Sequence, residues 1–143
     1  MAFREVSHLQ RDAGKREADY NEIRLAEIYY SLAECKFKAN DVDGAARLLN
    51  AVRKRNYPQD TWAEYLYKPE GAVALTQDEL YDEWGREFLA EGRRRTDLIR
   101  WGLYCTEEWW DKKPDADSHW DIFPIPRDMM GADHTLEQNP GYN

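Results

Sequence analysis

Cysteine and histidine are scarce in this 143-residue chain, which has two cysteines and three histidines at His8, Cys35, Cys105, His119 and His134. Two cysteines do not make a disulfide framework, and these scattered positions do not match the ligand spacing of a zinc site. Cys35 lies on the apolar face of a predicted helix, so we expect a buried free thiol there. A disulfide between Cys35 and Cys105 remains the alternative, because disulfide pairing cannot be deduced from sequence alone.

Long apolar runs are also missing. A stretch of about 18 apolar residues, which a membrane span would need, does not occur. The N-terminal sequence MAFREVSHLQRDAGKRE lacks the apolar core of a signal peptide, and it has no lipobox cysteine.

Positive charge is in deficit. The chain has 20 lysines and arginines against 28 aspartates and glutamates, a formal net charge of −8. We expect no nucleic-acid partner, because affinity for a phosphate backbone comes from basic residues. Binding to an anionic membrane surface is disfavoured for the same reason.

The motifs of common active sites are absent from the sequence: it has no Gly-rich phosphate loop, no nucleophile elbow and no zinc ligand set. The turn at residues 41–44, Asp-Val-Asp-Gly, has the look of a calcium loop. However, Ala39 stands where an EF-hand needs its first oxygen ligand, and Asn50 stands where it needs a bidentate glutamate. We therefore predict no catalytic residue, no cofactor and no metal site.

Helical periodicity is what the chain does have. The stretch from Tyr20 to Ala39 is predicted as a first helix that is apolar on two adjacent sides, so we expect two packing neighbours. Asp43 is expected to cap a second helix, from about residue 44 to 55. One apolar side of the first helix consists of Leu25, Ile28, Leu32 and Cys35.

The two helices together fit a tetratricopeptide-type hairpin, in which small residues allow close approach and large residues fill the gaps. The positions concerned are Tyr29, Leu32, Ala33, Ala45 and Leu49. Only one such unit is visible, and a single repeat cannot bury its flanks. The predicted fold class is all-α: this hairpin, further helices, and a loop-rich, extended C-terminal segment.

Residues 57–75 are predicted as a long connection with little periodicity. Its aromatic residues Trp62, Tyr65 and Tyr67 are expected to pack inward as a lid or short helix. The alternative is that they present flat faces to a sugar.

The stretch from Thr76 to Gly102 predicts two helices, or one helix with a break near Gly92. Thr76 and Glu79 have the spacing of a capping box at the start. Gly102 is well placed as the C-terminal stop.

The charges of this stretch allow two interpretations. The row Glu79, Glu83, Glu87 and Glu91 could supply an acid/base pair for glycoside hydrolysis. The alternative, which we favour, is an acidic face paired with neighbouring arginines, because residues on one exposed helix face rarely form a cleft. Asp97 and Arg100 alternate with apolar residues and predict a partly buried ion-pair network.

The loop at residues 103–122 holds the best candidates for ligand contact, which are Tyr104, Trp109, Trp110 and Trp120. Aromatic rings pack against the apolar faces of sugars, while Asp, Asn or Arg side chains bond the hydroxyl groups. The alternative is that these aromatic rings fill the domain's own surface.

The C-terminal segment is predicted to be extended, since two prolines fix the backbone at residues 123–126. The end of the chain, Asn-Pro-Gly-Tyr at residues 139–142, is typical of a turn with an aromatic anchor. We expect this tail to fold back and seal the helices with Phe123, Ile125, Leu136 and Tyr142.

Three motifs occur in order: Glu-Phe-Leu-Ala-Glu-Gly at 87–92 with Asp-Leu-Ile-Arg-Trp-Gly at 97–102, Phe-Pro-Ile-Pro at 123–126, and Gln-Asn-Pro-Gly-Tyr at 138–142. Together they resemble the SusD/RagB family of outer-membrane nutrient-binding lipoproteins. The resemblance runs from about Arg24 to Tyr142. Members of that family are several times longer, so the resemblance implies the C-terminal part of such a protein.

The resemblance implies a function without catalysis. A protein of this family captures an oligosaccharide or another nutrient at the cell surface and acts as a lid on a TonB-dependent transporter of the SusC type. A lipid anchor and an export signal would lie upstream of Met1. Residues 1–18 mix both charges without a sustained period and are predicted as an irregular lead-in. Residues 19–143 are then a SusD-like C-terminal helical domain. The alternative function is a tetratricopeptide-like adaptor that binds proteins.

Overall fold

The computed structural model describes residues 23–133 and 135–142, so the predicted lead-in lies outside the described residues. The chain divides into two compact units, Met1–Leu75 and Thr76–Asn143. The described residues form helices, with isolated β-bridges and no sheet among them, which confirms the all-α prediction. Each helix in this part of the chain is too short or too polar to cross a bilayer.

A helical hairpin forms the first unit's core. Helix α1 (Leu25–Lys38) packs against α2 (Val42–Arg53). Asn40, with a φ of 61°, makes the turn between them. The Asp41 side chain accepts a hydrogen bond from the Gly44 N–H at 2.9 Å, so Asp41 caps α2 and the prediction of Asp43 is wrong. Hydrogen bonds from Lys36 and then from the Gly44 amide hold the pKa of Asp41 below its ordinary value.

Small residues let the two helices approach closely, as the tetratricopeptide pattern predicted. Ala33, Ala45 and Leu49 are fully buried between them. Of the positions predicted to be large, Leu49 is buried and Tyr29 is half-buried, but Leu32 is not buried. Leu32 is 48% exposed, and Tyr30 fills the interior instead.

The second apolar side of α1 is exposed, against our prediction. Leu25, Ile28 and Cys35 lie at the surface, and the neighbour α2 covers only the side that carries Ala26 and Tyr30. The apolar arc is wider than one partner helix covers, and periodicity does not say how many partners exist. Cys35 is therefore an exposed free thiol, and the buried free thiol is Cys105.

The connection after α2 packs inward in part. A 3-10 turn (Gln59–Thr61) leads into the short helix α3 (Trp62–Tyr65). Tyr67 is fully buried and forms a β-bridge with Val73. Packing is confirmed for Tyr67, whereas Tyr65 is 39% exposed.

The second unit begins with α4 (Gln77–Glu87). The Thr76 hydroxyl accepts a hydrogen bond from the Glu79 N–H at 3.2 Å, which confirms the predicted cap. After α4 the chain turns through Ala90 and Gly92, with φ of 64° and 75°. The predicted break is thus present.

Helix α5 (Arg94–Arg100) follows the break. The N–H groups of Gly102 and Leu103 bond the carbonyls of Ile99 and Leu98 at 2.9 and 2.8 Å. This is a Schellman ending, in which Gly102 takes the left-handed conformation, and it confirms the predicted stop.

A buried carboxylate ties α5 to its surroundings. Asp97 is 2% exposed. Arg100 Nε donates to Asp97 Oδ1 at 3.0 Å, and Arg93 Nε lies 4.0 Å from Oδ2. Both guanidinium groups also lie over the Trp84 ring, 5.2 and 5.4 Å from its centroid. The predicted ion-pair network is confirmed.

The C-terminal segment passes through a 3-10 turn (His119–Asp121), runs extended through residues 122–126, and forms the short helix α6 (Arg127–Ala132). Polar groups fasten the tail. The Gln138 carboxamide exchanges two hydrogen bonds with the backbone of Ile125, at 2.8 and 2.9 Å.

Two further side chains of the tail bond the extended segment. Asn139 donates to the Phe123 carbonyl, and the Tyr142 hydroxyl donates to the Ile122 carbonyl, each at 2.7 Å. Phe123 and Leu136 are exposed, so the prediction of an apolar seal is wrong for both. Prolines have no N–H to donate, so this segment cannot form a regular strand ladder. Side chains of the tail instead bond the backbone groups that a neighbouring strand would otherwise bond.

Candidate ligand-binding site

A tight turn in the loop after α5 presents two tryptophans. The backbone groups of Trp109 pair with those of Lys112 at 2.9 and 3.2 Å, which leaves Trp110 and Asp111 at the tip. Lys112 Nζ lies 5.4 Å from the Trp109 ring centroid. Trp109 is therefore held in place, while Trp110 is 97% exposed.

A cleft of about 260 Å³ lies beside this turn. Its aromatic lining comes from Tyr81 and Trp109, and its polar lining from Asp78, Asp82, Arg94 and Glu107. Apolar rings beside a few convergent polar groups are the usual composition of a small-molecule site.

Helix spacing places the α4 part of this lining. Asp78, Tyr81 and Asp82 are three and four residues apart, so they share one face of the helix. The Tyr81 ring stacks on Trp101, with centroids 4.1 Å apart and planes 18° apart. This stacking on one face of the Tyr81 ring fixes the orientation of the ring.

Arg94 reaches the cleft from α5. Its Nη1 donates to the Tyr81 carbonyl at 2.7 Å, and its Nη2 lies 3.7 Å from Asp82 Oδ1. Gly85 makes room for it, since a Cβ at that position would lie 3.0 Å from Arg94 Nη1.

The charged groups of the cleft favour a ligand that carries hydroxyl groups. Its three carboxylates and one guanidinium give a formal charge of −2 at neutral pH. Ionised carboxylates only accept hydrogen bonds, and a guanidinium only donates them. A ligand rich in hydroxyl groups, which both donate and accept, satisfies both kinds of partner.

One of the four predicted contact residues lines this cleft, namely Trp109. Tyr104 lies under the Arg95 guanidinium, 5.0 Å from it. Trp120 packs on His119 and Tyr142, with centroid distances of 4.4 and 5.7 Å. The structure thus places Tyr104, Trp110 and Trp120 outside the cleft lining.

Sequence reasoning missed the α4 side of the cleft. The spacing of Asp78, Tyr81 and Asp82 does place them on one face of a helix, but the longer glutamate row on the same helix is the stronger pattern. No comparable pattern marks Glu107 and Arg94. Glu107 lies in the loop after α5 and Arg94 lies at the start of α5, so their place beside α4 depends on how the chain folds.

Two glutamates of the row, Glu79 and Glu83, are paired with an arginine. Arg86 Nε donates to Glu83 at 2.8 Å, and its Nη2 bonds Glu79. Glu83 is also buried. These contacts favour the structural interpretation of the row over the hydrolytic one.

Comparison with known proteins agrees with the three motifs. A family model described as the SusD family matches residues 3–142. The chain is 36% identical to starch-binding protein SusD of Bacteroides thetaiotaomicron over 134 residues, which is 88% of this chain and 22% of that protein. It is 36% identical to SusD-like protein P25 of Formosa agariphila over 82 residues, which is 57% of this chain and 15% of that protein.

The chain therefore spans less than a quarter of the length of these curated relatives. One of these relatives is named for binding starch, which agrees with the predicted role in binding without catalysis. Since the family model matches nearly the whole sequence, this chain belongs to the SusD family.

Proposed function

We propose that the chain is part of a cell-surface protein that captures a glycan for uptake and breaks no bond in it. The observation that carries the proposal is the cleft of a SusD family member in which Trp109 and Tyr81 lie among carboxylates. One relative is named for binding starch, a polymer of hydroxyl-rich rings.

The proposed binding needs no chemical step. One sugar ring packs its apolar face on Trp109 or Tyr81. Its hydroxyl groups donate to Asp78 and Glu107 and accept from Arg94. With a volume of about 260 Å³, the cleft holds a single ring rather than a chain of rings.

The cellular setting of this proposal follows from the family resemblance. The protein would stand on the outer face of the outer membrane and deliver its glycan to a TonB-dependent transporter of the SusC type. Membrane attachment would come from an upstream lipid anchor.

A tetratricopeptide-like adaptor is the second candidate, and the α1–α2 hairpin favours it. Such hairpins bind peptides in other proteins when several are stacked. The adaptor would bind peptides and show no response to sugars, whereas the capture protein would show the reverse.

Calorimetric titration with oligosaccharides tests the proposal. Trp109→Ala should weaken binding by about tenfold or less, the loss expected for one stacking contact. Trp110→Ala is the matched control, because that ring is exposed and lies outside the cleft lining. Equal losses in the two variants, or release of reducing ends from the glycan, would count against the proposed site.

A further inference from the structure

A second groove adjoins the cleft at the corner between α4 and α5. It has a volume of about 660 Å³. Asp82 and Arg94 line both the groove and the cleft, so the two form one surface. The side chains of this pair, 61% and 40% exposed, stand where the two halves meet.

The groove is basic where the cleft is acidic. Arg86, Arg94 and Arg95 line it together with one carboxylate, that of Asp82. We call this surface the arginine groove. Glutamates of α4 pair with Arg86, and Asp82 pairs with Arg94, so the remaining positive charge of the groove belongs to Arg95.

The groups that contact the Arg95 guanidinium carry no negative charge. Its Nη2 donates to the carbonyls of Trp120 and Asp121 at 2.6 and 3.4 Å. Its guanidinium carbon lies 3.9 Å from the Phe123 ring centroid. Within the described part of the chain, no acceptor is bonded to Arg95 Nη1 or Nε. A planar guanidinium with open donors suits a carboxylate.

The groove also has an apolar edge. Leu89 is 80% exposed there, next to Ala90, whose φ of 64° is rare for a residue with a side chain. An aliphatic surface beside a fixed guanidinium matches a sugar ring that carries a carboxylate, since such a ring has an apolar face and an anionic substituent.

We propose that the arginine groove is a second sugar subsite, which takes an acidic unit of the same glycan whose uncharged unit occupies the cleft. The ligand class is a glycan in which uronate and uncharged rings adjoin. This inference rests on the proposed function. A glycan of uronates alone is disfavoured, because one carboxylate would lie among those of Asp78, Asp82 and Glu107.

Three tetrasaccharides test the proposal by calorimetry on the whole chain. A hyaluronan tetrasaccharide alternates uronate with uncharged rings, a chitin tetrasaccharide has only uncharged rings, and a tetragalacturonate has only uronates. The alternating probe should bind about fivefold tighter than the uncharged probe at low salt, and the advantage should shrink at high salt. The all-uronate probe should bind more weakly than the alternating one.

Substitutions at Leu89 provide matched variants, because this exposed side chain can change without loss of the fold. Leu89→Glu should lower affinity for the alternating probe, Leu89→Lys should raise it, and Leu89→Gln should lie between them. The uncharged probe should respond equally to all three. If the uncharged probe binds as tightly as the alternating one, the second subsite is wrong and the proposed function stands. If none of the three probes binds and the titrations with other oligosaccharides also show no binding, both proposals fail.

Discussion

The side-chain amide of Asn50 pairs with the backbone of Tyr67 as a neighbouring strand would. Asn50 Nδ2 donates to the Tyr67 carbonyl at 2.8 Å, and Asn50 Oδ1 accepts from the Tyr67 N–H at 2.9 Å. Gln138 makes the same pair of bonds with Ile125 in the second unit. In the described residues, each unit thus has a carboxamide that bonds both the N–H and the carbonyl of one residue in a segment outside any sheet.

Removing the amide of Asn50 tests how much this pairing contributes. Asn50→Ala should lower the free energy of unfolding by about 2–4 kcal/mol, because a buried N–H and a buried carbonyl lose their partners. Urea denaturation measures the loss. Gln138→Ala is the matched control, and it should cost less, since that pair is partly exposed to water. A negligible loss in Asn50→Ala would mean that water replaces the amide.

The buried carboxylate of Asp97 provides a second prediction. Asp97→Asn should lower the free energy of unfolding by about 1–3 kcal/mol, because the ion pair with Arg93 is lost and the hydrogen bond from Arg100 no longer has a charged acceptor. Asp82→Asn is the control, since that aspartate also faces an arginine but is 61% exposed. An exposed pair contributes about 0–1 kcal/mol. Similar losses for both variants in urea would contradict a role for burial.

The two thiols should differ sharply in reactivity. Burial, followed by a hydrogen bond to Asp121, raises the pKa of Cys105 from 9.0 to about 11. Its contribution to stability is therefore complete below pH 9 and is lost as the pH rises toward 11. At pH 8 a thiol reagent should label Cys35 quickly and Cys105 only after unfolding, because the thiolate is the reactive form.

Single substitutions separate the two thiols. Cys35→Ser should abolish the fast labelling, while Cys105→Ser should preserve it. Two equal rates in the folded protein would show that Cys105 is accessible.

Local signals in the sequence predicted local structure well. The cap at Thr76, the break near Gly92 and the stop at Gly102 depend on residues within one or two helical turns, so they can be identified without knowing the fold. The pairing of Asp97 with Arg100 has the same origin, because both lie on the same short helix.

Features that depend on distant residues could not be predicted in this way. The bond from Asn50 to Tyr67 joins residues 17 positions apart, and no periodicity marks it. The cleft combines a face of α4 with Glu107 and Trp109 from a loop, whose path depends on the packing of the whole unit. The prediction of two packing neighbours for α1 is wrong for a similar reason. The width of an apolar arc shows which side chains could be buried, but it does not show whether another element packs on them.

The exposed side of α1 supports a last prediction, which compares two leucines of the same hairpin. Leu49 is fully buried and Leu32 is 48% exposed. Leu49→Ala should cost about 2–5 kcal/mol, because it leaves a cavity between the helices. Leu32→Ala should cost about 1 kcal/mol or less, since half of its surface already faces water. Urea denaturation of both variants measures the difference. Equal losses would show that a further part of the protein covers the Leu32 side of α1.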